Sequence, residues 1–201
     1  MQQGRSAGAT PFETISIFGD SVSDTGARAV LSDSGTSAGY LAEYLGSPAV
    51  LPDAAVIGSR SVNFAESSAR IDVDVPDGPV SLTGQVNTLA SLVQSRAASF
   101  DPASTLFFLS GGLNDSDPAL VSAVTGAYRE RVADLGARHI QIALLPRKVP
   151  DFTISADSLN AAFQALVPKL DAQYADVSVT LSNWGPYFGY VRQAGVISQM
   201  A

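Results

Sequence analysis

Short apolar runs rich in β-branched residues alternate along this chain with stretches in which apolar residues recur at helical spacing. Five runs predict buried strands, at positions 14–18, 61–64, 105–109, 140–145 and 177–181. A strand that is apolar along its length, without polar alternation, is typical of a sheet covered on both faces. The pattern therefore predicts an α/β fold with a parallel sheet and helices on both sides.

The segments between the strands carry the helical periodicity. Predicted helices cover positions 37–45, 85–100, 118–135 and 155–174, with a last one at 184–194. Asp117 is the expected N-cap of the third helix, and Gly136 its expected end. Positions 70–80 hold three Asp and two Pro, the composition of a loop.

Composition narrows the classes of function. The chain has 201 residues, of which 46% are hydrophobic and 15% charged, which predicts one globular domain over residues 1–201. A net charge of −7, with scattered Lys and Arg, argues against nucleic acid as a partner. The absence of cysteine and the single histidine exclude disulfides, thiolate metal centres and multi-histidine metal sites. We expect no cofactor.

Membrane and targeting signals are missing from the pattern. No apolar run reaches the roughly 18–20 residues that span a bilayer, so no transmembrane segment is expected. The first residues show no basic stretch followed by an apolar run, so they do not resemble a leader. A secreted or periplasmic protein whose leader has been removed would look the same, and the compartment stays open.

Small polar residues follow the predicted strands at the edge where α/β proteins place their sites. Ser21 comes directly after the first strand in Gly19-Asp20-Ser21, and Asn114 follows the third strand across Gly111-Gly112. A serine nucleophile needs a base and hydrogen-bond donors for the oxyanion. Ser21 and Asn114 are thus a candidate nucleophile and a candidate oxyanion donor, although each segment alone is also a common turn sequence.

Several segments resemble the GDSL (SGNH) family of serine ester hydrolases, in the order in which the family carries them. They are Phe18–Gly26 (FGDSVSDTG), Val62–Ala65 (VNFA), Ser81–Val86 (SLTGQV), Gly112–Asp115 (GLND), and Leu135–Arg138 leading into Leu144–Pro146. The resemblance covers nearly the whole chain. It implies a flavodoxin-like, three-layer α/β/α sandwich around a five-stranded parallel sheet.

The resemblance also implies an activity: hydrolysis of carboxylic esters of lipids, acetylated sugars or other acyl compounds, through an acyl-enzyme on Ser21. The oxyanion donors would be the Ser21 N–H, the Asn114 side chain and the N–H at position 68. The family keeps glycine at that last position, whereas this chain has Ser68. A serine still has an N–H that can donate, and the donor is lost only if the position requires a positive φ, which a non-glycine residue resists. Supporting positions are held by Asp20, Gly112 and Asp115.

A larger departure concerns the catalytic base. The family's Asp-x-x-His motif is absent, and the only histidine, His139, opens the fourth strand at the edge of the sheet opposite Ser21, roughly 20 Å away. The chain therefore resembles a member that lacks its last segment, and we expect impaired catalysis, since loss of the base costs on the order of a million-fold in kcat. Lys148 could replace the base or be an ordinary solvated lysine.

Three hypotheses follow. The first is an ester hydrolase whose base is absent or supplied by another chain. The second is a non-catalytic relative that binds an acyl ligand, a carbohydrate or a protein partner. The third is an unrelated flavodoxin-like module that binds phosphate, although the glycine-rich or lysine-bearing loop typical of such sites is missing. The acyl group, the alcohol and the oligomeric state stay open.

Overall fold

The structure is a computed structural model that describes residues 12–26, 36–52, 55–146, 156–183 and 185. Within these residues, strands and helices alternate as the sequence predicts. The elements in chain order are β1 (Thr14–Gly19), α1 (Ser37–Tyr44), β2 (Val62–Asn63), α2 (Leu82–Gln94), β3 (Thr105–Ser110), α3 (Pro118–Asp134), β4 (His139–Ala143), α4 (Ala156–Gln173) and β5 (Ser178–Ser182).

The five strands form one parallel sheet in the order β2-β1-β3-β4-β5. The chain leaves β1 towards β2 on one side and then crosses to β3 on the other, so the direction of the connections reverses between β1 and β3. Ligand sites of open α/β sheets lie at such a reversal, outside the carboxyl ends of the strands. Gly19 at the end of β1 pairs with Ser110 at the end of β3.

Alternate residues of the strands enter two separate apolar clusters, one on each face of the sheet. On one face, Ile15, Ile17 and Phe108 pack with the α1 residues Ala38 and Ala42. The other face carries the larger cluster, to which α2, α3 and α4 contribute. Its members include Phe18, Phe107, Leu109, Ile140, Ile142, Val86, Leu89, Val121, Val132, Leu159 and Phe163. Helices on both faces confirm the predicted α/β class.

Two expected boundaries are wrong. The second helix begins at Leu82, because the Ser81 hydroxyl caps it by accepting a 3.0 Å hydrogen bond from the N–H of Gly84. It ends at Gln94, and Arg96 shortly after it takes a positive φ of 60° that no helix continues. The fourth strand spans His139–Ala143 and not 140–145.

The other local expectations are confirmed where the structure describes them. Asp117 caps α3, since its Oδ1 accepts from the N–H of Ala119 at 2.9 Å, and Gly136 ends that helix with φ 100°. Positions 70–80 contain neither helix nor strand. The last predicted helix, 184–194, lies outside the described residues except for position 185. None of the helices in the described part is long and apolar enough to cross a membrane.

Candidate active site at the carboxyl ends of β1, β2 and β3

Three turns follow the adjacent strands β1, β2 and β3, and hydrogen bonds join them. We call residues 19–24 the first turn, residues 66–69 the second turn and residues 111–115 the third turn. The N–H of Glu66 donates to the carbonyl oxygen of Gly19 at 3.2 Å, which joins the second turn to the first. The side-chain amide of Asn114 donates to the carbonyl oxygen of Ala69 at 3.0 Å, which joins the third turn to the second.

The first turn depends on a glycine and on a glutamine far away in the sequence. A Cβ atom at Gly19 would lie 2.3 Å from the carbonyl oxygen of Ser110, so no side chain fits there. The buried amide of Gln85 accepts from the N–H of Gly19 and donates to its carbonyl oxygen, both at 2.9 Å. Gln85 thus bonds to Gly19 as a neighbouring strand would, and it fixes the point where the chain leaves β1.

Ser21 lies half-buried in this turn. The N–H groups of Ser23 and Asp24 donate to the carbonyl oxygen of Asp20 at 3.0 Å, and the N–H of Val22 donates to the Asp20 carboxylate at 3.1 Å. The N–H and hydroxyl of Ser21 itself make no hydrogen bond within the described part of the chain. Both groups thus remain unengaged by the described residues.

Ser68 occupies the third position of the second turn, which the N–H of Ala69 closes by donating to the carbonyl oxygen of Glu66 at 3.0 Å. Its φ is 67°, and a positive φ at this position only is the mark of a type II turn, which favours glycine. An L-residue in the left-handed region costs roughly 1–2 kcal/mol. The position thus has the positive φ that serine resists, the condition under which the sequence predicts loss of the donor. Ser68 nevertheless adopts this conformation and accepts the strain, so its N–H is kept. No acceptor among the described residues engages the Ser68 N–H.

Asn114 is partly buried in the third turn. Its bond to Ala69 uses one of the two amide hydrogens, so the side chain is oriented and the second hydrogen stays available. Gly112, with φ 109°, allows the turn to form: a Cβ there would lie 2.7 Å from Val121 and 2.9 Å from Leu159. The glycine thus permits both the conformation and the close contact with the helices.

The first and third turns each contain a buried carboxyl group, on Asp20 and Asp115. Burial raises the pKa of Asp20 to about 7; the N–H groups of Val22 and Leu113 oppose the rise, and the Asp115 carboxylate adds to it. Burial also raises the pKa of Asp115, against the N–H of Ile71 at 3.1 Å and the guanidinium of Arg70, whose Nε lies 3.5 Å away. Asp20 is bonded to the Val22 N–H within its own turn, whereas Asp115 joins the third turn to Arg70 and Ile71, the two residues after the second turn.

Further polar residues join the first and second turns, and the sequence reasoning did not single them out. The Asn63 amide donates to the carbonyl oxygen of Ser23 at 2.7 Å and to the Thr25 hydroxyl at 2.9 Å. The Asp24 carboxylate accepts from the N–H and the hydroxyl of Ser67, both at 2.7 Å. Asn63 and Asp24 lie in the segments that resemble family blocks, and Asn63 is also one of the small polar residues at the ends of the predicted strands.

The single histidine lies at the opposite edge of the sheet. His139 begins β4 and pairs with Leu106, which in turn pairs with Ile15 at the start of β1. The six residue steps from Ile15 to Ser21 span roughly 20 Å. The His139 ring packs edge-on against Phe12, with the ring centroids 5.1 Å apart. Lys148 lies outside the described residues, among which no three acidic or histidine side chains converge as metal ligands would.

The order β2-β1-β3-β4-β5 defines a flavodoxin-like α/β protein, with candidate site residues on the turns around its reversal point. A family model described as GDSL-like Lipase/Acylhydrolase matches residues 15–198. The chain therefore belongs to the GDSL-like lipase/acylhydrolase family.

A search of solved structures agrees on the fold. The chain is similar to a member of the lipolytic protein G-D-S-L family from Veillonella parvula, with a TM-score of 0.57 and 15% sequence identity. That match covers 90% of this chain and 83% of the other. No curated protein matches the sequence. At this identity the structural similarity supports the three-layer fold alone, and the family follows from the sequence model.

Proposed function

We propose that this chain hydrolyses carboxylic esters through an acyl-enzyme on Ser21, and that residues 1–201 act as one unit in doing so. The observation that carries the proposal is a pair of unengaged backbone N–H groups, on Ser21 and Ser68, in turns joined by a 3.2 Å hydrogen bond. Asn114 adds an oriented amide from the third turn. An acyl-transfer site needs N–H donors around its serine to stabilise an oxyanion.

In this proposal, the Ser21 hydroxyl oxygen attacks the carbonyl carbon of the ester, and the carbonyl oxygen takes up the negative charge. The N–H groups of Ser21 and Ser68 and the Asn114 amide donate to that oxygen. The alcohol then leaves with a proton, and the acyl group stays on Ser21. Water adds to the acyl-enzyme in the same way and releases the carboxylic acid.

This mechanism needs a base that takes the proton of the Ser21 hydroxyl. His139 lies at the far edge of the sheet, so it is not within hydrogen-bond reach of Ser21. A serine hydrolase without its base still accelerates the reaction roughly 10³–10⁴-fold over the uncatalysed rate, through its oxyanion hole and substrate binding. We therefore propose that the 201-residue chain is a slow esterase. Esters of lipids or acetylated sugars are the substrate class we infer from the family.

A short-chain aryl ester and a fluorophosphonate probe test the proposal together. We expect slow release of the aryl alcohol and slow covalent labelling by the probe, both abolished in Ser21→Ala. Ser91→Ala, on an exposed turn of α2, is the matched control and should behave as the unaltered chain. Equal rates for the unaltered chain and Ser21→Ala would exclude Ser21 as the nucleophile.

The placement of the only histidine favours a second candidate, a relative that binds an acyl or carbohydrate ligand, or a protein partner, without turning it over. The same N–H groups would then hold a carboxylate or ester oxygen. Thermal stabilisation by short-chain carboxylates, lost in Asn114→Ala, together with an unreactive Ser21, would favour this candidate. Rapid labelling of Ser21 by the fluorophosphonate would contradict it.

A further inference from the structure

The direction of the Ser68 N–H depends on the type of the second turn. Types I and II differ mainly by a half-rotation of the middle peptide, here the one between Ser67 and Ser68. That peptide carries the Ser68 N–H, so the two turn types place this N–H on opposite faces. A serine at the third position favours type I, whereas the structure has φ 67° at Ser68. Strain of this kind persists where the surroundings fix the backbone.

The contacts on Ser67 come from Asp24. One oxygen of the Asp24 carboxylate accepts from both the N–H and the hydroxyl of Ser67, at 2.7 Å each. Two short bonds to a charged acceptor are stronger than bonds between neutral groups. With its nitrogen and side-chain oxygen held, Ser67 has a fixed position relative to Asp24. The Cα atom from which the middle peptide begins is therefore fixed relative to the turn that carries Ser21.

Asp24 is itself rigidly placed in the turn that carries Ser21. Its backbone N–H donates to the carbonyl oxygen of Asp20 at 3.0 Å, and its other carboxylate oxygen accepts from Gly26 N–H at 2.8 Å. The side chain is buried. Asp24 stands three residues after Ser21, so its bonds to Ser67 set the position of the second turn relative to the nucleophile.

We propose that Asp24, acting through Ser67, is a positioning residue that holds the Ser68 N–H in line with Ser21 as an oxyanion donor. The proposal rests on the function proposed above for Ser21 and Ser68. Asp24 takes no part in bond making. In this proposal, the hold on Ser67 keeps the second turn in the type II form, although serine at its third position favours type I.

A double-mutant cycle between Ser67 and Ser68 tests this inference. Ser67→Ala removes one of the two bonds to Asp24 and puts a side chain of similar size in place of serine, so the fold should be kept. Ser68→Gly removes the backbone strain at position 68. The readout is the second-order rate of Ser21 labelling by an uncharged phosphonate, followed by mass spectrometry. We expect Ser67→Ala to slow labelling by about tenfold, a part of the 10²–10³ that removal of an oxyanion donor costs. In the Ser68→Gly chain, Ser67→Ala should slow labelling by less than about threefold.

Two results would overturn the proposal. One is an unchanged labelling rate in Ser67→Ala. The other is that Ser67→Ala slows labelling equally whether position 68 is serine or glycine. Asp24→Asn, whose side chain offers one acceptor oxygen in place of two, should show the same dependence on residue 68. Ser91→Ala is again the matched control, and KM for an aryl ester should change less than kcat, since the oxyanion forms in the transition state.

A structural measurement separates this proposal from the proposed activity. If the unaltered chain fails to label, the activity proposal fails, and the conformation at residue 68 still tests the role of Asp24. In crystals of Ser67→Ala, we expect residue 68 to take a negative φ or a mixture of two conformations. A single conformation with φ still near 67° would show that Asp24 is not what holds the turn.

Discussion

The side-chain amide of Asn114 donates a 3.0 Å hydrogen bond to the carbonyl oxygen of Ala69, the residue directly after Ser68. This bond joins the turn after β3 to the turn after β2, and it fixes the plane of the amide. One amide hydrogen is used in this bond, and the other makes no hydrogen bond with a described residue. A single residue thereby couples two turns through a contact between positions 45 apart in the sequence.

Replacing Asn114 with alanine should slow the reaction of Ser21 strongly and destabilise the fold only mildly. Loss of one oxyanion donor costs roughly 10²–10³ in rate, whereas loss of one partly buried hydrogen bond costs about 1 kcal/mol in stability. The measurements are phosphonate labelling and urea unfolding. Gln94→Ala, which removes an exposed amide on α2, should change neither. A rate loss no larger than that of the control would rule out Asn114 as a donor.

Replacing Gln85 with methionine should destabilise the protein by about 2–4 kcal/mol, because the buried N–H and carbonyl of Gly19 lose their side-chain partner. Methionine keeps a similar length, so the loss reflects the hydrogen bonds and not a cavity. Urea unfolding gives the free energy, with Gln94→Ala as the exposed control. A change below 1 kcal/mol would mean that Gly19 finds other partners.

The stability of the protein should fall as the pH rises from about 4 to 8, owing to Asp20. Its folded pKa of about 7 lies above the ordinary value of 3.8, so the folded state holds a proton that the unfolded chain has released. This contribution is complete below pH 4 and is lost as the pH passes 7, at up to about 1.4 kcal/mol per pH unit. The raised pKa of Asp115 acts in the same direction.

Asp20→Asn should reduce this slope, because the asparagine oxygen can still accept from Val22 and no proton is exchanged. Urea unfolding at pH 5 and pH 8 measures the difference. Asp134→Asn changes the same charge at the exposed end of α3 and should leave the slope as it is. Identical slopes for Asp20→Asn and the unaltered chain would show that Asp20 does not titrate in this range.

His139→Asn should leave the labelling rate of Ser21 within about twofold, because the side chain lies about six residues along the strand direction from the nucleophile. The unfolding free energy should drop slightly, by less than about 1 kcal/mol, through loss of the ring contact with Phe12. A rate loss of a hundredfold or more would make His139 the base and would contradict the strand register.

The sequence by itself determined the architecture and the location of the site. Continuous apolar runs predict strands with both faces covered, and small polar residues after β1 and β3 point to the same sheet edge, since parallel strands end together. The start of α2 could not be predicted from apolar periodicity. Its first helical residues include Thr83 and Gly84, which have low helix propensity, and its cap depends on the Ser81 hydroxyl. Apolar periodicity does not report such a cap.

Only the tertiary structure decided how the site is held. Asp24 bonds to Ser67 across 43 positions, and Gln85 bonds to Gly19 across 66, and no local pattern specifies such pairings. The strained φ of Ser68 is likewise set by neighbouring turns, because the intrinsic preference of serine is against it. Local sequence placed a serine at the end of β1. Long-range hydrogen bonds decide how the turns after β2 and β3 are joined to the turn that carries this serine.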